Sequence, residues 1–142
     1  MTEDEFSHRV TSQFEFLTNF GYSFTGVHKA ETLALGGYLE AEYRNLAMSR
    51  RVLVWYTPAG KALNATLCVF LEYGRDTFEI GAYLRHIGAP LGRIAKLSLE
   101  GGEPQQINQV LAQAASVLQS ELAEVVQGLK WPHVPIDWQG YK

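Results

Sequence analysis

The sequence predicts an α+β domain, an antiparallel sheet of about four strands with an N-terminal helix and a long C-terminal helix packed on one face. Three observations predict it. Apolar residues recur at steps of three and four at both ends of the chain, alternate with polar ones in the middle, and are interrupted by glycine- and proline-bearing turns. With 142 residues, the chain is the length of one domain and buries roughly two-thirds of its unfolded surface. No internal repeat or interdomain linker divides it, so residues 1–142 are read as a single domain.

The elements follow in order. Thr2 with Glu5 three residues on has the spacing of a capping box, and Phe6, Val10, Phe14, Leu17 and Phe20 then mark one helical face. Gly21 suits the left-handed position just past that helix, and Tyr22 and Phe24 alternate with polar neighbours as an extended segment does. After Gly36-Gly37, Leu39, Ala41 and Tyr43 alternate with Glu40, Glu42 and Arg44, a strand with one apolar and one charged face. Residues 51–57 form the next strand, "PAGK" at 58–61 a turn, and residues 63–73 a third, longer strand, giving an antiparallel meander.

The stretch "DTFEIGAYLRHIG" fits both periods. Phe78, Ile80, Ala82 and Leu84 alternate, whereas Asp76 with Glu79 has a capping-box spacing and Ile80, Tyr83, Leu84 and Ile87 share a helical face closed by Gly88. A helix over 77–87 is the expectation. No element is assigned around Leu97 and Leu99. Pro104 suits a first helical turn, and Ile107, Leu111, Ala114, Leu118, Leu122, Val125 and Leu129 continue as one stripe, predicting a rod of about 25 residues. Its opposite face is rich in glutamine and faces water.

Composition narrows the function. Net charge is −3, and no arginine-rich run tracks a phosphate backbone, which argues against nucleic acid. Only Asp4, Asp76 and Asp137 supply aspartate, the side chain that Mg and Ca sites use most. The opening "MTEDEF" is acidic where a secretory signal is basic, and no apolar run reaches the ~18 residues of a membrane span. The single cysteine, Cys68, forms no internal disulfide. A cytoplasmic protein is the expectation.

Chemistry-bearing constellations are sparse. His8, His28, His86 and His133 are scattered without the close pairs of a zinc site. Cys68 lies mid-strand between Leu67 and Val69, without the helix N-terminus or basic loop that activates a thiol. No G-x-S-x-G elbow occurs, and "GAPLGRIAK" at 88–96 lacks the spacing and Gly-Lys-Ser/Thr ending of a phosphate loop. Glu40 and Glu42 share a strand face at roughly 7 Å, a separation that inverting glycosidases use and that any polar strand face also has. No catalytic residue, metal or cofactor is assigned.

What stands out is a sheet with apolar residues on both sides. If Val52, Val54, Tyr56, Ala65, Leu67, Val69 and Leu71 face the helices, then Leu53, Trp55, Cys68 and Phe70 face away. Around them lie Glu40, Glu42, Arg44, Thr66 and Glu72. An aromatic centre within a polar, acidic rim is the pattern of a protein-binding patch. Glu40, Glu42, Leu53, Trp55, Phe70 and Glu72 are therefore the candidate partner-binding residues. Two alternatives cover the same face differently: the C-terminal tail, with Trp131, Trp138 and Tyr141, folds over it, or a second copy of the chain does. A third reading is a small enzyme or ligand-binding domain with a pocket between sheet and long helix.

The order of elements, with a helix ending "FEFLTNFGY", a strand "LEAEYRNL" leading to "RRVLVWYTPAG", and a final helix ending "ELAEVVQGLKW", resembles the small immunity proteins that bacteria encode beside polymorphic toxins. The resemblance implies a cytosolic inhibitor that binds and blocks one toxin, a domain that here would present basic residues, without a cofactor. It carries over no functional residue.

Overall fold

The computed structural model of the chain describes residues 1–32, 36–59, 65–99 and 104–134. Helix α1 (Glu3–Phe14) begins where the Thr2 hydroxyl accepts the Glu5 amide at 3.1 Å, and acidic Glu3, Asp4 and Glu5 lie at the positive end of its dipole. A 3₁₀ turn (Glu15–Phe20) continues it and stops at Gly21, whose φ of +89° only glycine adopts freely. Phe6, Val10, Phe14 and Leu17 are fully buried, as their spacing requires.

The sheet runs β1 (Ser23–Thr32), β2 (Gly36–Asn45), β3 (Arg50–Thr57), β4 (Thr66–Tyr73) and β5 (Asp76–Glu79), all antiparallel and in chain order. The class is α+β. Five strands replace the expected four, because the extended segment after Gly21 is a full ten-residue edge strand and Asp76–Glu79 pairs with Phe70–Tyr73. The stretch expected to be a helix over 77–87 is thus divided. Its two periods each hold over half the length: Phe78 faces the core as a strand residue, and α2 (Ile80–His86) follows. Glu79 caps that helix from its first position, accepting the Ala82 amide at 2.8 Å, so the acidic residue expected inside the helix sits at its N-cap.

The third predicted strand starts at Thr66 rather than residue 63, with Ala65 buried just before it. Part of the predicted turn at 58–61, and Leu63 and Asn64, lie outside the described residues. A short helix α3 (Leu91–Ala95) leads to Leu97 and Leu99, both buried.

The expected long rod is shorter. Helix α4 (Pro104–Gln119) ends in a turn at Ser120–Leu122, and a single turn of helix, α5 (Ala123–Val126), follows. Leu118, Leu122 and Val125 stay buried across the break, but Gly128 at φ +83° ends α5 and leaves Leu129 71% exposed. The stripe therefore stops one residue short of its sequence extent.

The buried faces of α1, α2, α4 and α5 meet one side of the sheet. Val52, Val54, Tyr56, Ala65, Leu67, Val69 and Leu71 join Phe14, Leu111, Leu118 and Leu122 in one core cluster. Tyr22 spans the layers, its hydroxyl donating to the Val126 carbonyl at 2.9 Å. Burial pushes that phenol up to about 12, with Arg50 pulling slightly the other way.

Core position and stripe end are separable by substitution. Leu118→Ala should lower the unfolding free energy by about 3 kcal/mol, whereas Leu129→Ala should change it by less than about 0.5 kcal/mol. Denaturant melts of the two variants check this; equal losses would mean that the helical stripe continues to Leu129.

Candidate functional site

Strand alternation places a second set of side chains on the side away from the helices. The register aligns them in rows across the sheet: Glu40 beside Trp55 beside Cys68, then Glu42, Leu53, Phe70 and Glu79, then Arg44, Arg51, Glu72 and Thr77. All six candidate residues fall on this one face. None of the apolar members belongs to the core cluster, and Leu53 is buried outside it.

An aromatic row crosses the centre. Trp55 lies with its ring centroid 4.9 Å from Tyr38 and 4.7 Å from Phe70, both in tilted contact. Trp55 and Phe70 are half-buried and leave part of their ring surface exposed. Leu53 is 5% exposed and acts as the floor between Arg51, Trp55 and Phe70 rather than as contact surface. The Trp55 Nε1 is hidden without an acceptor among the described residues, a buried donor whose desolvation they do not compensate. Tyr38 was legible in the sequence, since it shares the parity of Glu40 on the same strand.

The rim is an ion network. Arg51 lies between two carboxylates, with Nη1 2.5 Å from Glu42 Oε2 and Nη2 2.5 Å from Glu72 Oε1. Glu42 also accepts the Thr25 hydroxyl at 2.7 Å and meets Arg44 Nη2 at 3.0 Å. Arg44 and Arg51 sit directly opposite each other, an arrangement of like charges that is destabilising unless anions share it. Glu42, 6% exposed, is that shared anion. Burial alone would raise its pKa, but the hydrogen bonds from Thr25, Arg51 and Arg44 outweigh burial and hold the carboxyl below its ordinary value. Glu40 stands apart, 3.3 Å from the exposed His28.

A carboxylate kept ionised by three donors is poorly placed to exchange protons at neutral pH, so Glu42 serves as the counter-ion of Arg44 and Arg51. Among the described residues no group of three His, Cys, Asp or Glu side chains gathers to hold a metal ion, and no helix is long and apolar enough to cross a membrane. Cys68 is half-buried beside Trp55, and burial, with Glu79 adding to it, pushes its thiol up to about 11.

The tail, as far as it is described, takes the other side. Trp131 packs against Phe78 at 5.0 Å and Tyr73 at 5.5 Å, and Arg50 lies over its ring at 5.4 Å. These partners belong to the helix-facing side. Trp138 and Tyr141 lie outside the described residues. Compared with protein-family models, curated proteins and solved structures, the chain matches none.

Two outcomes follow. Because the folded-state pKa of Glu42 is depressed, its network contributes stability that is present above the ordinary value of 4.5 and is lost as pH falls through the folded-state value. Glu42→Gln should cost about 1–3 kcal/mol at pH 7, and the gap to the wild-type chain should close in acid. A gap unchanged from pH 7 to pH 3 would show that the carboxylate charge is not its source. For Cys68, a value two decades above an ordinary thiol leaves about a hundredfold less thiolate at pH 8. Iodoacetamide should accordingly label the folded chain at least about tenfold more slowly than free cysteine; labelling at the free rate would mean an open or activated thiol.

Proposed function

We propose that the chain is a non-enzymatic protein-binding protein of the cytoplasm that inhibits another protein through the outer face of its sheet. The observation that carries this reading is the Tyr38–Trp55–Phe70 row, exposed in part on a sheet face that no described helix covers. Aromatic anchors at the centre of a patch supply most of the energy of protein interfaces, and a polar rim excludes water and sets specificity. The outer face has both parts.

Charge supports a partner that presents basic residues. Glu40, Glu42, Glu72 and Glu79 face Arg44, Arg51 and Arg85, so carboxylates outnumber guanidiniums on this surface. Glu42 and Glu72 are already paired with Arg51, so steering falls mainly to Glu40. The resemblance to bacterial immunity proteins gives this partner a class, a toxin domain encoded beside the chain, and gives the inhibitor its site of action, the cytoplasm.

The product of the neighbouring gene, or a protein captured from the source cell, is the binding probe. Trp55→Ala should weaken binding by about 2 kcal/mol or more, with a small change in melting temperature because Trp55 lies outside the core. Glu40→Lys should slow association, and the effect should fade as salt is raised. A Trp55→Ala protein that melts far lower yet binds normally once folded would sink the reading. A chain that purifies as a dimer held through Trp55 would assign the face to self-association instead.

A further inference from the structure

The carboxylates of the outer face differ in what neutralises them. Glu42 meets Arg44 and Arg51, Glu72 meets Arg51, and Glu79 caps α2 and lies 3.9 Å from Arg85. Glu40 meets no arginine among the described residues, and the basic side chain beside it is His28, itself 62% exposed. The Glu40 side chain is nevertheless only 14% exposed. A carboxylate that has lost most of its water without gaining a permanent counter-charge gains most from an incoming cation, because much of its own desolvation has already taken place in the free protein.

Its setting selects the cation. Glu40 stands directly opposite Trp55 in the β2–β3 register, and opposed side chains on paired strands lie about 5 Å apart at Cβ. Tyr38 and Phe70 meet the indole at interplanar angles of 38° and 50°, so neither neighbour stacks flat on it, and Trp55 stays half-buried. Carboxylate and indole are therefore within reach of one cationic group. An ammonium is a compact, strongly hydrated charge, whereas a guanidinium is planar and weakly hydrated, stacks by its face on an aromatic ring and pairs by its edge with a carboxylate. The guanidinium engages the two neighbours with different parts of itself.

We propose that the outer face takes one arginine side chain of its partner protein as an anchor, the guanidinium lying on the Trp55 ring with its N–H edge on the Glu40 carboxylate. The inference rests on the outer-face reading and gives the partner's basic character a place and a residue type. The lattice of Arg44, Arg51, Glu42 and Glu72 is paired within itself, so the partner's positive charge is matched at Glu40.

Acetyl-arginine amide is the probe, titrated to about 100 mM into the full chain at fixed ionic strength. The readout is the Nε1–H resonance of Trp55, assigned by its loss in Trp55→Phe. The resonance should shift saturably, with acetyl-lysine amide at least threefold weaker and the uncharged acetyl-norleucine amide giving no saturation. Glu40→Gln should weaken the arginine probe at least fivefold, whereas Glu124→Gln, the same loss of charge at an exposed position on α5, should leave it within twofold. The three probes on the unmodified chain decide even if Glu40→Gln does not fold. The proposal is overturned if no saturable shift appears, if lysine or norleucine matches arginine, or if both glutamine variants, or neither, lose affinity. The outer-face reading fails on a different result. A captured partner that Trp55→Ala still binds normally removes the interface and the anchor with it, whereas a partner lost in Trp55→Ala without any response to the arginine probe keeps the interface and removes only the anchor.

Discussion

The packing of the helix-facing side of β3 and β4 against α1 and α4 is the contact on which the rest of the structure depends. Val52, Val54, Val69 and Leu71 form the middle of the sheet and are almost wholly buried against Phe14, Leu111 and Leu118. Burying a side chain of this size stabilises by about 1.5–3 kcal/mol, more than any single polar contact on the surface. With that side fixed, the two-residue period leaves no freedom on the other: a slip of one residue would put Trp55 and Phe70 into the core and Val54 and Val69 into water. The outer face is a consequence of the inner one.

Arg50 determines where the C-terminal segment goes. It is buried on the helix-facing side, donates to the Val125 carbonyl at the end of α5, and lies over the rings of Tyr73 and Trp131. A guanidinium at the negative end of a helix and between two aromatic faces is compensated by them, although its Nε has no partner among the described residues. By holding Trp131 on this side, Arg50 directs the described part of the tail away from the Trp55 row.

On the outer face, apolar and charged groups are interdependent. Arg51 and Arg44 would repel across the β2–β3 pair, and Glu42 and Glu72 convert that repulsion into a lattice. The lattice in turn walls Leu53, so an apolar floor persists beside solvent. The charge pattern of this rim is fixed by its own pairing.

The amino-acid sequence by itself determined the class, the two helical ends, the meander and the division of β3 and β4 into two faces, because periods of two and about 3.6 are set locally by backbone geometry. It also placed Glu40, Glu42, Leu53, Trp55, Phe70 and Glu72 on one side, since parity along paired strands is a local property. Only the tertiary structure decided the rest. Residues 76–88 satisfy both periods, and pairing with β4 selected a strand for Asp76–Glu79 before the helix could start. The last turn of the C-terminal stripe was lost because the break after Gln119 and Gly128 redirect the chain, which a periodic pattern cannot register. Leu53 became floor, Glu42 became a shared counter-ion and Trp131 went to the core side for one reason: burial and ion pairing depend on neighbours brought from distant parts of the chain.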